Sequence, residues 1–129
     1  MSRSVAPSEA VPLVKHVPDL RWIMHLGREY CDVSPPGAPF ECALSRMGPG
    51  GASTQHAHDV AEIFVVLSGK ATAHVDAERI QLEATESVYV PPGVIHHLSN
   101  PSDQETLVYL LICWNLTDSH TNTIPTKSS

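Results

Sequence analysis

Several features are missing from this chain, and each absence removes a class of function. There is no unbroken run of the roughly 18 apolar residues that a membrane-spanning helix needs. The best run, "LVYLLICW" over 107–114, has only the length of a strand. The opening "MSRSVAPSEAVPLVKHVPDL" lacks the apolar h-region of a secretory signal, so a cytoplasmic protein is expected. Basic residues are scarce: 8 Lys and Arg stand against 14 Asp and Glu, a net charge of −6 with histidine neutral. Binding nucleic acid through its phosphates requires clustered Lys and Arg. An anionic membrane surface attracts the same clusters, so neither partner is expected. The three cysteines, Cys31, Cys42 and Cys113, are odd in number and show no CxxC spacing, which argues against a disulfide framework. Cys42 and Cys113 fall in apolar strands and read as packed thiols, while Cys31 lies nearer a loop. No convincing amphipathic helix is present, although "VPDLRWIMHLGREY" has room for one helical turn, and no internal repeat is found.

What remains is a chain of 129 residues with 42% hydrophobic content, enough for one domain with its own core. Eleven prolines and seven glycines punctuate it. Between them lie short runs rich in Val, Ile, Thr, Leu and Tyr: 21–26, 40–47, 62–68, 70–76, 78–84, 86–92, 94–100 and 105–115. Strands recurring at such spacing, separated by turn signals, predict an all-β sandwich or small barrel. Residues 1–18 and 117–129 are polar or broken by proline and read as an arm and a tail around a domain over 19–116.

The stretch "GGASTQHAHDVAEIFVVLSGK", residues 50–70, places His56 and His58 two apart and Glu62 at the head of an apolar run. Side chains alternate along extended backbone, so the two imidazoles point the same way. Glu62 is in phase with Phe64 and Val66, while Ile63, Val65 and Leu67 take the other face. Both faces are apolar, so a strand covered on both sides is expected. A carboxylate buried there is costly unless it is paired or bound to a metal. "PPGVIHHLSN", residues 91–100, supplies a further imidazole at the start of another strand. His96 and His97 point to opposite faces, so only one of them joins the cluster.

These residues resemble the two motifs of the cupin superfamily, small barrels of the double-stranded β-helix or jelly-roll type. Gly50, His56, His58, Glu62 and Gly69 match the first motif throughout, and Pro91, Gly93, His96 and Asn100 match the second. That spacing selects His96 over His97. Thr85 stands where the second motif normally has a glycine serving a tight turn. The resemblance implies a cupin barrel that holds one divalent transition-metal ion per chain on His56, His58, Glu62 and His96. It also implies a homodimer.

Three neutral imidazoles and one carboxylate leave a divalent centre with a net charge of about +1, able to attract an enolate, phenolate or carboxylate. Mixed nitrogen and oxygen donors suit Fe(II), Mn(II), Co(II), Ni(II) or Zn(II), with Fe(II) preferred here. The favoured function is dioxygenation of a small keto-enol or phenolic compound, as in cupin dioxygenases, with Glu62 doubling as a base. The alternatives are a Lewis-acid cyclase, isomerase or lyase, such as the cupin cyclases of polyketide pathways, and a binding protein without turnover.

The other polar residues carry plainer expectations. His74 is read as facing solvent and Arg46 as pairing at the surface. Gln55 is out of phase with His56, and His16 and His25 are uninformative. Tyr109 and Trp114 occupy opposite faces of the last strand.

Overall fold

The computed structural model describes residues 12–115. The expected tail and the first eleven residues of the expected arm lie outside them. A short 3-10 turn at Val17–Asp19 precedes nine strands: β1 Ile23–His25, β2 Arg28–Asp32, β3 Glu41–Met47, β4 Ala61–Ser68, β5 Ala71–Val75, β6 Glu78–Leu82, β7 Ser87–Val90, β8 His96–Ser99 and β9 Leu107–Trp114. Every strand pair is antiparallel. One sheet runs β1-β2-β3-β9-β4-β7 and the other β6-β5-β8. The last strand is thus inserted between β3 and β4, the crossed connectivity of a jelly roll. The segment before β4 extends the smaller sheet through two single bridges, Ala52 to Ser99 and His56 to His96.

Period-2 alternation explains how the two sheets close on each other. In β4, Glu62, Phe64 and Val66 are buried, and β9 places Tyr109, Leu111 and Cys113 beside Val66, Phe64 and Glu62. Ala71 and Ala73 of β5 and Leu98 of β8 meet them from the other sheet. Small alanines there let the sheets approach while Phe64 and Tyr109 fill the space, their rings edge-on at 5.9 Å.

The two faces of β4 are not equivalent, contrary to the expectation of cover on both sides. Ile63 and Val65 are only half-buried, and Leu67 is 48% exposed. The inner face meets the second sheet. On the outer face exposure increases along the strand, from Ala61 at 0% to Leu67.

Two further expectations need correction. The expected strand over 21–26 holds β1, but it is shorter and turns at Leu26 and Gly27, at φ 54° and 84°, into a second strand, β2, that was not expected. Both values belong to the turn type that matches strand twist. Leucine rarely adopts that conformation, and this hides the turn in the sequence. Cys31 consequently lies on a strand rather than near a loop, and at 1% exposure it is the most enclosed of the three free thiols.

Thr85, in place of the motif's glycine, keeps the glycine conformation at φ 76°. Its N–H donates to the Val66 carbonyl at 2.7 Å, and Val66 donates to the Glu86 carbonyl at 2.9 Å. The turn is thereby preserved at the cost of local backbone strain.

Candidate metal centre

The site is built where the ends of three segments meet. Glu62 is the second residue of β4, His96 the first of β8, and His56 sits in the bridging segment opposite His96. The backbones of His56 and His96 exchange hydrogen bonds at 3.0 and 2.8 Å. Candidate ligand atoms of His56, Glu62 and His96 all lie within 4.8 Å of one another, so this His/Glu/His cluster has the donors and the closeness to hold a metal ion.

His58 stands beside this trio. Its ring centroid is 4.4 Å from that of His56 and 6.0 Å from that of His96, and its Nε2 is 3.6 Å from Glu62 Oε2. The segment carrying His56 and His58 is extended but only His56 makes a ladder bridge, so the regular strand expected for the pair is replaced by a single anchored residue and a looser neighbour. The turn of the second motif restrains that neighbour from behind, because Gly93 N–H donates to the His58 carbonyl at 2.6 Å.

The hydrogen bonds around the imidazoles fix which nitrogen faces inward. His56 Nδ1 contacts the Thr54 carbonyl at 2.5 Å, and His96 Nδ1 contacts the Val94 carbonyl at 2.8 Å. A carbonyl only accepts, so each Nδ1 carries the proton and donates it. In the neutral ring Nε2 is then a bare lone pair, the arrangement that metal-binding histidines adopt.

Glu62 Oε1 and His96 Nε2 face each other at 2.6 Å. With the proton of the neutral ring on Nδ1, both atoms are acceptors with no hydrogen between them, and both are enclosed without another hydrogen-bond partner. Buried polar atoms are nearly always satisfied. Two such atoms, converging with a third donor, are what a cation would satisfy together, so the residues present fit a metal ion.

Burial lowers the His56 pKa, and the neighbouring His96 and His58 add to that, against the opposing pull of the Thr54 carbonyl and Glu62. Burial acts on His96 in the same direction, but there the Glu62 carboxylate and the Val94 carbonyl prevail and the value is raised. Burial, together with Glu41 and Glu62, pushes the nearby Cys113 thiol up to about 11. It is therefore protonated near neutrality, neither a thiolate ligand nor a nucleophile.

The cluster opens into a cavity of about 860 Å³ between the sheets, within the range of small-molecule sites. Phe64, Tyr109 and Leu111 line its interior. The expectations for the remaining residues divide. His97 faces away from the centre and stacks on His74 across the β5–β8 ladder, with centroids 4.1 Å apart and planes 4° apart. His74 thus packs against a neighbour rather than simply facing water, and its Nε2 contacts Ser99 Oγ at 3.1 Å. Arg46 pairs with Glu29 at 2.7 Å and covers the Trp22 ring. Tyr109 is the inward residue of the last strand, while Trp114 stacks on Tyr89. Gln55 is exposed.

Sequence reasoning missed the β1–β2 hairpin's share of the cavity, namely His25, Arg28 and Tyr30. The segment "REYCD" behind Leu26-Gly27 gives little signal, because its polar and apolar residues do not alternate. Asn100, a motif residue, is buried and ties the barrel together. Its amide donates to the carbonyls of Met47, Gly48 and Glu105 at 3.1, 3.0 and 2.7 Å.

A jelly roll with a His/Glu/His cluster at the mouth of its cavity defines a class of small barrel proteins. The cupin domain profile matches residues 43–113, more than half the chain, and the protein belongs to that family. Among solved structures it is similar to a cupin 2 conserved barrel domain protein of Salinispora arenicola, at 28% identity, with 88% of this chain and 98% of that one covered and a TM-score of 0.72. A predicted oxalate decarboxylase of Thermotoga maritima is similar at 20% identity, covering 81% and 100%, with a TM-score of 0.71. A cupin-2 domain of Rhodospirillum rubrum follows at 21% identity, covering 86% and 78%, with a TM-score of 0.69. At such identities the last two establish the fold alone. No curated protein matches the chain in sequence. Among the described residues no helix is long and apolar enough to cross a membrane.

Proposed function

We propose that the protein is a metal-dependent enzyme, holding one divalent ion, iron(II) by preference, on His56, His58, Glu62 and His96. Its reaction is the dioxygenation of a small keto-enol or phenolic compound. The observation that carries this reading is the enclosed pair Glu62 Oε1 and His96 Nε2, left without hydrogen bonds beside the lone pair of His56. The ion would supply a site where an anionic substrate oxygen and dioxygen are brought together. Both atoms of dioxygen enter the product, so no external reductant is required.

The chain's own residues do the rest. Thr54 and Val94 orient the imidazoles through their carbonyls, so that in the neutral ring Nε2 of each is the lone pair that faces inward. Glu62 Oε2, the carboxylate oxygen nearer His58, is placed to take the proton of an enol or phenol as it enters. Phe64 and Leu111 keep the inner wall of the cavity apolar, which favours a planar organic ring or chain over water.

The test is reconstitution of metal-free protein with each first-row divalent ion, followed by an oxygen electrode and a panel of keto-enols and phenols. Oxygen consumption with iron(II) alone, and isotopically labelled dioxygen appearing twice in the product, is the expected result. Turnover that persists without oxygen on zinc(II) would replace this reading with a Lewis-acid cyclase or isomerase, because the same donors suit zinc. Binding without turnover under any metal would leave a ligand-binding barrel.

A further inference from the structure

One charge in the cavity has no role in holding a metal. Arg28 opens β2 and its side chain lines the cavity wall. Its Nη1 donates to the His25 carbonyl at 3.1 Å, and its guanidinium lies 4.7 Å from the centre of the Tyr30 ring. The guanidinium also acts as a hydrogen-bond partner of the Tyr109 hydroxyl, and with five N–H donors it keeps further donors beyond these contacts. Among the described residues the ion pairs within 4.0 Å are those of Arg46 with Glu29 and of His58 and His96 with Glu62, so no carboxylate neutralises Arg28. Arg46, in the neighbouring strand but on the outer face, shows the contrast. It is paired with Glu29 and capped by Trp22. The outward arginine is paired with a carboxylate, and the inward one is not.

Backbone contacts tie Arg28 to the metal centre. The Leu26 carbonyl, in the turn just before Arg28, accepts the Thr54 N–H at 2.8 Å, and the Thr54 carbonyl in turn accepts from His56 Nδ1. The turn presses so close that a Cβ on Gly27 would lie 2.6 Å from the Ala52 carbonyl oxygen, an approach that only glycine permits. The guanidinium and a ligand imidazole are therefore carried on adjoining pieces of backbone. Arg28 and Glu62, being of opposite charge, act with opposite sign on the same two groups, the Tyr109 hydroxyl and the Cys113 thiol, so both charges lie near that part of the cavity. Asp32 and Glu41 are the other acids lining the cavity. Both are exposed at its edge, where water screens them, and Asp32 already accepts from Ser34 N–H and Oγ at 2.9 and 2.6 Å.

We infer that Arg28 is a substrate-binding residue and that the substrate is a small organic acid. Its carboxylate pairs with the Arg28 guanidinium, while an enolic or phenolic oxygen of the same molecule reaches the His56–Glu62–His96 centre. The planar guanidinium fork matches a carboxylate with two parallel hydrogen bonds, and a cavity of about 860 Å³ holds a molecule that spans both contacts. The second contact rests on the metal reading above; the first does not.

The experiment is calorimetric titration of salicylate, a carboxylate beside a phenol, into wild type, Arg28→Gln and Arg28→Lys, each metal-free and cobalt(II)-loaded. Catechol, which has no carboxylate, is titrated into the loaded proteins as the control. Loss of a charge-assisted, two-point contact predicts that Arg28→Gln weakens salicylate about 10- to 100-fold in both forms. Arg28→Lys, with the charge but not the fork, falls between, and catechol is unaffected by either change. Should Arg28→Gln not fold, the Arg28→Lys comparison decides. Equal salicylate affinity in wild type and variant overturns the assignment, as does a loss for catechol as large as that for salicylate. If cobalt(II) neither binds nor tightens salicylate while Arg28→Gln still weakens it, the metal reading fails and the Arg28 assignment stands.

Discussion

The two ends of the barrel are made from the same strands and behave as different materials. At one end β4, β8 and β9 present Glu62, His96 and Cys113; a few residues along, the same strands present Val66, Leu98 and Leu107. Val66 is 1%, Leu98 2% and Leu107 0% exposed, and with Met47, Ala71 and Leu82 they form the plugged end. That end has ordinary apolar packing and nothing left to bind. The open end buries one carboxylate oxygen, Glu62 Oε1, and one imidazole nitrogen, His96 Nε2, without hydrogen bonds, an arrangement unfavourable by itself. The difference teaches where stability resides and where it has been spent on function. The plug holds the sheets in register, and the open end can then carry polar atoms whose partner is a ligand.

The largest effect is expected from breaking the plug. Leu107→Ala removes a fully enclosed side chain and should cost about 2–5 kcal/mol in urea unfolding. The fraction that remains folded should bind metal with unchanged stoichiometry, which is the sign that the ends are separable. Next comes the open end itself. His56→Ala removes a donor of the close trio, whereas His58→Ala removes the looser neighbour. Competition with a chelator should show a large loss of metal affinity for His56→Ala and one on the order of tenfold for His58→Ala. Equal losses would mean that the looser placement of His58 has no energetic meaning.

A change of pH sharpens the same contrast. His96 has a raised pKa in the metal-free protein, so an incoming ion must displace its proton. Metal affinity should therefore fall as pH drops through that raised value, by up to about tenfold per unit for one proton. His56, with its lowered value, stays neutral further into acid and adds to the dependence only there. In the metal-free protein the two act oppositely on folding. The His96 contribution is complete below the ordinary histidine value and is lost as pH rises through its raised one. The His56 contribution is present above the ordinary value and is lost as pH falls. Urea midpoints between about pH 5 and pH 8 should consequently fall more steeply toward acid in His96→Gln than in wild type. The smallest effect belongs to the far side of the plug: Thr85→Gly should relieve the left-handed residue at φ 76° and stabilise the barrel by about 1 kcal/mol without altering metal affinity.

The candidate site was more legible in the sequence than the wall around it. His56, Glu62 and His96 were readable because donor identity, period-2 phase and two turn signals all agreed, and the structure brings those three together. Facing allowed only one of His96 and His97 into the cluster, the resemblance to the second cupin motif selected His96, and the stacking of His97 on His74 accounts for the residue passed over. The all-β pattern was legible because turns separate strands whose alternation is strong. The β1–β2 hairpin was not, because its turn uses Leu26 in a conformation that leucine rarely takes and its second strand mixes Arg28, Glu29 and Asp32 with Tyr30 and Cys31. Missing it hid Arg28 from the cavity. The unequal faces of β4 were also illegible, since Ile63 and Val65 look as apolar as Phe64 and Val66, and only the position of the second sheet distinguishes them.

The central claim is that the open end is a metal centre whose members include His96 and exclude its neighbour. Metal analysis of wild type, His96→Ala and His97→Ala, all purified without chelating resin and then offered the same divalent ion, tests it most directly. The account predicts about one ion per chain in wild type and His97→Ala, and almost none in His96→Ala. Equal retention in the two variants, or a wild-type protein that takes up none of the first-row ions, would contradict it.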